Sequence, residues 1–239
     1  MEFREPATLS AQGLDLGLVA APLTGKADAT GEVRLVGLSD FEWKGDVTGT
    51  SVTWPSGGAA KITGPLTIAK AGSSIFWETA GAIVDGGRVT SLKQLAPARY
   101  TVATRGDINL RTRLVEINQA QVRGVPGEAS GRGSYMIGSG AFNFAGAARL
   151  PRRADLEPLT GTARGQWTVA RASHDAPIRI TADAAGRQVS SRIQALSQLA
   201  GSQPNAGISG VVRSGHFSLE SGFFQGAGVN ATMTGRIAD

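Results

Sequence analysis

Short runs in which apolar and polar residues alternate recur along almost the whole chain, and glycine-rich joints separate them. The clearest run lies near the end, where Val229, Ala231, Met233 and Ile237 alternate with polar residues. Successive side chains of a β-strand point to opposite faces, so each run predicts a strand with one apolar and one polar face. Counted along the chain, the pattern predicts roughly 14 to 16 short strands.

Two segments depart from the period of two. Leu196 and Leu199 stand three positions apart and Gly201 follows them, which predicts a short helix near residues 195–200. Residues 151–158 hold two prolines, two arginines and two carboxylates, and they predict a loop. We therefore expect a first part of one continuous β-domain over residues 1–150 and a second part, with the helix, over 159–239.

Several runs carry local predictions. The alternation around Leu14–Leu18 predicts a strand, and a change of phase near Gly49 predicts a β-bulge or a bend. Asp85-Gly86-Gly87 predicts a hairpin turn. The longest alternating stretch, residues 100–118, predicts one apolar face shared by Tyr100, Val102, Ile108, Leu110 and Leu114, and the phase changes after it.

Composition narrows the class of protein. Glycine, with 33 of 239 residues, is about twice as frequent as in an average protein, which fits many tight connections. Charged residues make up 18%, below the usual share of about 25%, so we expect that much of the surface does not face water. The chain has no cysteine, which excludes disulfides and thiolate metal sites.

Residues that support catalysis are scarce. The two histidines, His174 and His216, are far apart in sequence and lack the spacing of metal ligands. Neither a nucleophile elbow nor a phosphate-binding loop is present. We expect no enzyme activity, no cofactor and no metal.

The distribution of basic and aromatic residues also argues against nucleic acid as a partner, although the net charge is +5. The basic residues are spread singly along the predicted strands. Trp43, Trp77 and Trp167 stand among aliphatic residues, whereas proteins that bind single strands set aromatic rings among basic residues. We expect no nucleic-acid binding.

The last part of the chain, LSQLAGSQPNAGISGVVRSGHFSLESGFFQGAGVNATMTGRI, combines a short amphipathic helix, a Gly-Xaa-Xaa-Pro turn and strands of alternating polarity. Similar runs occur upstream in PLTGKADATGEVRLVGLSDFEWKGDVTG, ITGPLTIAKAGSSIFWETAGAI and GEASGRGSYMIGSGAFNFAGAARL. This order resembles repeats of the TamB/AsmA/YdbH superfamily of bacterial envelope proteins, bridge-like proteins for lipid transfer. The resemblance is one of pattern and covers most of the chain.

The resemblance implies an all-β fold: an elongated, curled antiparallel or mixed β-sheet that forms an apolar groove, a β-taco or open barrel, with one short helix. It implies a segment of a periplasm-spanning protein that conducts phospholipids between the inner and outer membranes and serves the cell envelope and outer-membrane biogenesis. The chain would then be an internal piece of a longer protein, anchored to the inner membrane. The partners implied are phospholipid acyl chains and, through other parts of that protein, an outer-membrane barrel.

We predict a lipid-binding surface from the apolar positions of the alternating runs. Its residues are Trp43, Ile62, Leu66, Ile68, Ile75, Trp77, Tyr100, Val102, Ile108, Leu110, Leu114, Phe142, Phe144, Trp167, Val169, Ile178, Ile180, Val229, Met233 and Ile237.

The same alternation fits a second class of protein. A structural or adhesive β-solenoid or β-sandwich of a secreted or surface protein also alternates, but its apolar residues fill a closed interior and bind no ligand. The degree to which the apolar residues are buried separates the two classes.

Overall fold

The structure, a computed structural model, describes residues 6–19, 23–36, 39–54, 57–89, 99–124, 127–150, 159–191, 193–213 and 216–236. The described residues are mostly strands, as the alternation predicts, and two short helices accompany them. The chain divides into two compact units, Met1–Pro126 and Gly127–Asp239. The predicted loop at 151–158 lies outside the described residues.

The first unit contains eight described strands and a helical turn. They are β1 Ala7–Asp15, α1 Leu16–Val19, β2 Thr24–Leu35, β3 Phe41–Trp54, β4 Gly57–Ala71, β5 Ser74–Asp85, β6 Arg88–Val89, β7 Arg99–Asn109 and β8 Leu114–Gly124. The strands pair in the order β1-β2-β3-β4-β5-β7-β8, every pair is antiparallel, and β6 pairs with β4. Within the unit β1 pairs only with β2 and β8 only with β7, so its described sheet is not closed into a ring.

The second unit contains seven described strands and one helix. They are β9 Glu128–Met136, β10 Phe142–Leu150, β11 Leu159–Arg171, β12 Ile178–Ser191, α2 Gln194–Ala200, β13 Asn205–Arg213, β14 His216–Gln225 and β15 Asn230–Arg236. The strands pair antiparallel in sequence order from β9 to β15, and this described sheet is not closed either. The predicted all-β fold is confirmed, and the pairing is antiparallel throughout rather than mixed.

Bulges preserve the two faces where the sequence changes phase. Near the predicted change at Gly49, the register between β2 and β3 shifts between Thr24 and Lys26, opposite Ser51, whose φ is 51°. In β5 the shift occurs at Gly81, where φ is 93°, a value that residues other than glycine adopt only with strain. Each extra residue is taken up in the bulge, so the apolar side chains beyond it return to the same face.

Helix α2, Gln194–Ala200, confirms the predicted helix near 195–200. Ser197 ties it to the end of β12, because its hydroxyl accepts a hydrogen bond from the Ser191 N–H (2.7 Å) and donates one to the Ser191 carbonyl (3.1 Å). At its C-terminal end the N–H of Gly201 donates to the Ser197 carbonyl (2.9 Å) and the N–H of Ala227 donates to the Ala200 carbonyl (3.3 Å). The helix is therefore held by its backbone ends as well as by packing.

Two local predictions are wrong. The predicted strand around Leu14–Leu18 ends at Asp15 and continues as helical turn α1, because the Asp15 carboxylate accepts the N–H of Gly17 (2.8 Å) and turns the chain. Asp85-Gly86-Gly87 does not form a hairpin. Strand β6 after it pairs with β4 in the same direction and the same register as β5 before it, so β6 continues the line of β5 along β4. The two glycines thus interrupt one strand instead of reversing the chain.

A carboxylate joins two turns at one end of the first unit. Asp40 accepts the backbone N–H of Gly72 (3.0 Å) and lies 3.5 Å from the ammonium of Lys70. The Gly72 N–H and then Lys70 stabilise the charged carboxylate, so the pKa of Asp40 lies below its ordinary value of 3.8.

We predict that Asp40→Asn lowers the free energy of unfolding of the first unit at pH 7. A carboxyl whose folded pKa is depressed stabilises the fold above its unfolded pKa, and this stabilisation is lost as pH falls through the folded pKa. The difference between wild type and Asp40→Asn therefore shrinks below pH 3.8 and vanishes in stronger acid. Urea denaturation across this range measures it. Asp46→Asn, at an exposed strand position, is the control, and an equal loss there contradicts the prediction.

Candidate functional site

One face of the first unit's sheet is apolar from strand to strand. Residues directly opposite one another in an antiparallel pair lie on the same face. Trp43 stands opposite Ile68, Ile68 opposite Trp77, and Trp77 opposite Gly106, which in turn stands opposite Ile117. This row crosses β3, β4, β5, β7 and β8 without a polar residue, and we call the surface it belongs to the apolar face of the first unit.

The opposite face of the same strands is polar. Glu32 stands opposite Lys44, Lys44 opposite Thr67, Thr67 opposite Glu78, and Glu78 opposite Arg105. Charges of opposite sign thus meet across some neighbouring strands, which favours the observed register. The two faces therefore differ in their main character, one largely apolar and the other largely polar, although they share the same strands.

The second unit repeats this division. Phe144 stands opposite Val169 and Val169 opposite Ile180, while one row away Trp167 stands opposite Ala182 and Ala182 opposite Ile208. Residues such as Arg132, Gln166 and Asp183 alternate with them and lie on the other side. We call the first surface the apolar face of the second unit.

Aromatic rings lie over glycines on both apolar faces. The ring of Trp77 occupies the place that a Cβ on Gly106, directly opposite, would need. The ring of Trp167 covers Gly146 in the same way and also contacts the site of a Cβ on Gly131, one strand further. Glycine leaves room for these large rings close to the backbone, which a side chain at the same position would exclude.

The apolar faces are only partly covered. Six described apolar residues are buried: Ala27, Trp43, Val52, Ala59, Ala82 and Val84, all in the first unit. No described side chain is less than 2% exposed. Leu9, Ile208 and Met233 expose 51%, 45% and 49% of their surface. A closed core of this many strands would cover such residues, so these faces are half-open apolar surfaces.

Most of the predicted lipid-binding residues lie on the apolar faces. Those on the first unit's face are Trp43, Ile62, Leu66, Ile68, Ile75, Trp77, Tyr100, Val102 and Ile108. Those on the second unit's face are Phe142, Phe144, Trp167, Val169, Ile178, Ile180 and Met233. All except Trp43, which is buried, and Met233, which is exposed, are half-buried.

Four of the predicted residues lie elsewhere. Leu110 belongs to the turn between β7 and β8, and Leu114 stands opposite Asn109 on the polar side. The predicted single stretch is a hairpin, because the Asn109 side chain accepts the N–H groups of Arg111 and Thr112 (3.0 Å each). Val229 lies just before β15, where its carbonyl accepts the N–H of Gly226 (2.8 Å). Ile237 lies outside the described residues.

Sequence analysis missed part of both faces. The residues missed include Leu9, Val33, Val47, Val84, Val115, Ile117, Val122, Ile208, Val212, Phe217, Leu219 and Phe224. Val115 and Ile117 follow the misplaced turn, and Val84 follows the bulge at Gly81. Restarting the count of alternation after each bulge and turn would have found them.

Polar chemistry is sparse on these faces. Burial raises the pKa of the Tyr100 phenol, which stands on the apolar face opposite Val84. The described residues contain no group of three or more metal-ligating side chains. His174 is exposed in the turn between β11 and β12, and His216 begins β14. Neither of the described helices has the length and apolar character that crossing a bilayer requires.

We predict that Gly146→Ala lowers the free energy of unfolding of the second unit by about 1–3 kcal/mol, because the new methyl group meets the Ser130 carbonyl oxygen of the neighbouring strand as well as the Trp167 ring. Gly235→Ala is the matched control. It stands on the same face, opposite Leu219, and its Cβ would meet no atom within 4 Å. We expect its effect to stay within about 0.5 kcal/mol.

Fluorescence of Trp167, the only tryptophan after Trp77, reports this unit if the other three are replaced by phenylalanine. Equal effects of Gly146→Ala and Gly235→Ala in urea denaturation would contradict the close packing assigned around Gly146.

Comparisons with known proteins do not place this chain in a family. No family model, no curated protein and no solved structure matches it. The resemblance to the TamB/AsmA/YdbH superfamily therefore stays a prediction from the sequence pattern.

Proposed function

We propose that this chain is a segment of a periplasm-spanning protein of the bacterial cell envelope. Its sheet binds phospholipid acyl chains along an apolar groove and conducts them between the inner and outer membranes. The observation that carries this proposal is the half-open apolar face of each unit, backed by a polar face on the same strands. We propose in addition that the sheet curls, so that the apolar face lines a groove. We also propose that the chain belongs to the TamB/AsmA/YdbH superfamily.

The size of the hydrophobic effect explains why such a face is useful. Each CH₂ group withheld from water is worth about 0.8 kcal/mol, so a chain of ~16 carbons crossing water unprotected meets a barrier of roughly 13 kcal/mol. A surface that continues from strand to strand replaces this one barrier by many small steps.

Two polar atoms of the first unit also suit a glycerolipid. Nε1 of Trp43 and Oγ1 of Thr79 are buried on the apolar face and have no hydrogen-bond partner among the described residues. An unsatisfied donor costs about 1–3 kcal/mol, which an acceptor from a ligand offsets. The ester carbonyls of a phospholipid are such acceptors, and small movements of neighbouring side chains would give them access.

A structural or adhesive domain without ligand is the second candidate. The cluster of buried residues in the first unit, including Trp43, Val52 and Val84, favours it, because a filled interior gathers such residues. The second unit has no described buried apolar residue of this kind. Lipid that copurifies with the protein, seen by mass spectrometry, distinguishes the two candidates.

We predict that a photoreactive amino acid at Leu66 captures phospholipid in bacterial cells, whereas the same group at Thr67 does not. The two positions are adjacent and similarly exposed, but Leu66 lies on the apolar face and Thr67 on the polar face. Mass spectrometry of the adduct identifies the lipid. Equal capture at both positions, or capture of protein alone at Leu66, contradicts the proposal.

We predict that Ile108→Asp preserves the fold and weakens binding of acyl chains about tenfold. Ile108 is half-buried between Ile75 and Val115, and on an open face its carboxylate stays hydrated. In a closed core the same charge would cost several kcal/mol, comparable with the stability of a domain. Circular dichroism and binding of a fluorescent fatty acid measure the two effects.

Thr101→Asp, on the polar face of the same strand, is the control for charge and should leave binding unchanged. If Ile108→Asp unfolds the protein, the filled-interior candidate gains. If it folds and binds acyl chains as the wild type does, the groove proposal fails.

A further inference from the structure

Each apolar face carries a cationic strand residue beside a turn, and the two stand in equivalent places. In the first unit it is Lys70, directly opposite Phe41 where β3 begins. In the second unit it is Arg171, directly opposite Phe142 where β10 begins. Both cations lie in the last row of the face, next to a turn. A cation at the end of an apolar surface is in the place where a lipid head group would lie.

The two cations differ in how they are neutralised. Lys70 donates to the carbonyl of Ser39 (2.9 Å) and forms an ion pair with Asp40 (3.5 Å). Arg171 forms no ion pair with any carboxylate of the described residues. Its Nε–H donates to the carbonyl of Gly140 (3.1 Å), and its guanidinium carbon lies 5.1 Å from the centre of the Phe142 ring. A half-buried cation without a counter-ion loses hydration that only an anion or water restores.

The surroundings of Arg171 are fixed by two interlocked turns. The Gly140 N–H donates to the Met136 carbonyl (2.9 Å), and the His174 N–H donates to the Ser139 carbonyl (2.8 Å). The imidazole of His174 occupies the space beside Gly140, whose carbonyl holds Arg171. The position of the guanidinium is therefore set before any ligand arrives, and a preorganised site loses less entropy on binding.

The free donors of Arg171 match a phosphate. A guanidinium has five N–H donors in a planar fork, and the contact with Gly140 uses only the one on Nε. The other four, on the two terminal nitrogens, have no hydrogen-bond partner among the described residues. Such a fork binds two oxygens of a phosphate at once, and stacking on Phe142 leaves it free to do so.

We propose that Arg171 binds the phosphate group of a phospholipid whose acyl chains lie on the apolar face of the second unit. This inference rests on the proposed function and adds to it the class of head group and its place. Tyr135, which stands opposite Phe142 in the same row, offers a hydroxyl on the other side of the ring. The paired Lys70 of the first unit does not form such a site, because Asp40 already neutralises it.

Equilibrium binding of two fluorescent lipids with identical acyl chains tests the inference. Phosphatidylglycerol carries the phosphate and diacylglycerol lacks it. We expect wild type to bind phosphatidylglycerol about tenfold more tightly, as one to two charge-assisted hydrogen bonds provide. Arg171→Gln should bring the two affinities within about twofold, through weaker binding of phosphatidylglycerol alone.

Arg179→Gln is the matched control. It removes the same charge at the start of the next strand, but Arg179 lies on the polar face, opposite Ala170, and pairs with Glu220 (2.7 Å). It should keep the tenfold preference. Arg171→Lys keeps the charge and loses the fork, so we expect an intermediate preference, and this variant replaces Arg171→Gln if the latter does not fold.

The outcomes separate this inference from the proposed function. If wild type binds neither lipid, the proposed function fails and this inference with it. If wild type binds both lipids equally, or if Arg171→Gln keeps the full preference, the inference fails and the proposed function stands. A variant that is only less stable, with an unchanged ratio of affinities, shows a purely structural role for Arg171. Inorganic phosphate that binds wild type equally tightly without lipid identifies a site for free phosphate and overturns the head-group assignment.

Discussion

A slip of one residue between any two neighbouring strands would exchange the apolar and polar faces from that strand onward. The register is therefore the constraint on which every other property of this chain depends. Cross-strand pairs fix it on both sides at once: Trp43 meets Ile68 on one face while Lys44 meets Thr67 on the other. Where an extra residue enters a strand, as at Gly81, a bulge absorbs it and the faces continue unchanged.

The glycine content follows from the same constraint. Within each unit the described strands form one sheet, and several of its large side chains lie over glycines of neighbouring strands. Phe144 over Gly133 and Phe217 over Gly210 repeat in the second unit what Trp77 does in the first. Glycine weakens a strand when it packs against nothing, and here an aromatic ring from the same sheet supplies the missing contact.

Local spacing in the sequence was sufficient to predict most of the structure. The period of two predicted the strands and most of the two apolar faces, and the spacing of Leu196 and Leu199 before Gly201 predicted helix α2. Alternation was insufficient at turns. The Asn109 side chain accepts two backbone N–H groups and ends β7 in a turn, so Leu114 lies on the polar face instead of the predicted apolar face. Alternation also could not recognise Arg171 as part of an apolar face. Arg171 lies on the apolar face because Phe142 of β10 is its partner in the sheet. The sequence of one strand does not determine which residue of the neighbouring strand pairs with it.

Apart from the short β6, each described strand pairs only with the described strand that follows or precedes it in the chain, within each unit. Such an arrangement lets a gene gain or lose one hairpin of two strands without disturbing the register of the rest, much as repeat proteins vary in length. Each such event changes the width of the sheet by about 9.6 Å, because neighbouring strands are ~4.8 Å apart. Evolution could thus adjust the span of this sheet in nearly equal increments while its two faces stay the same.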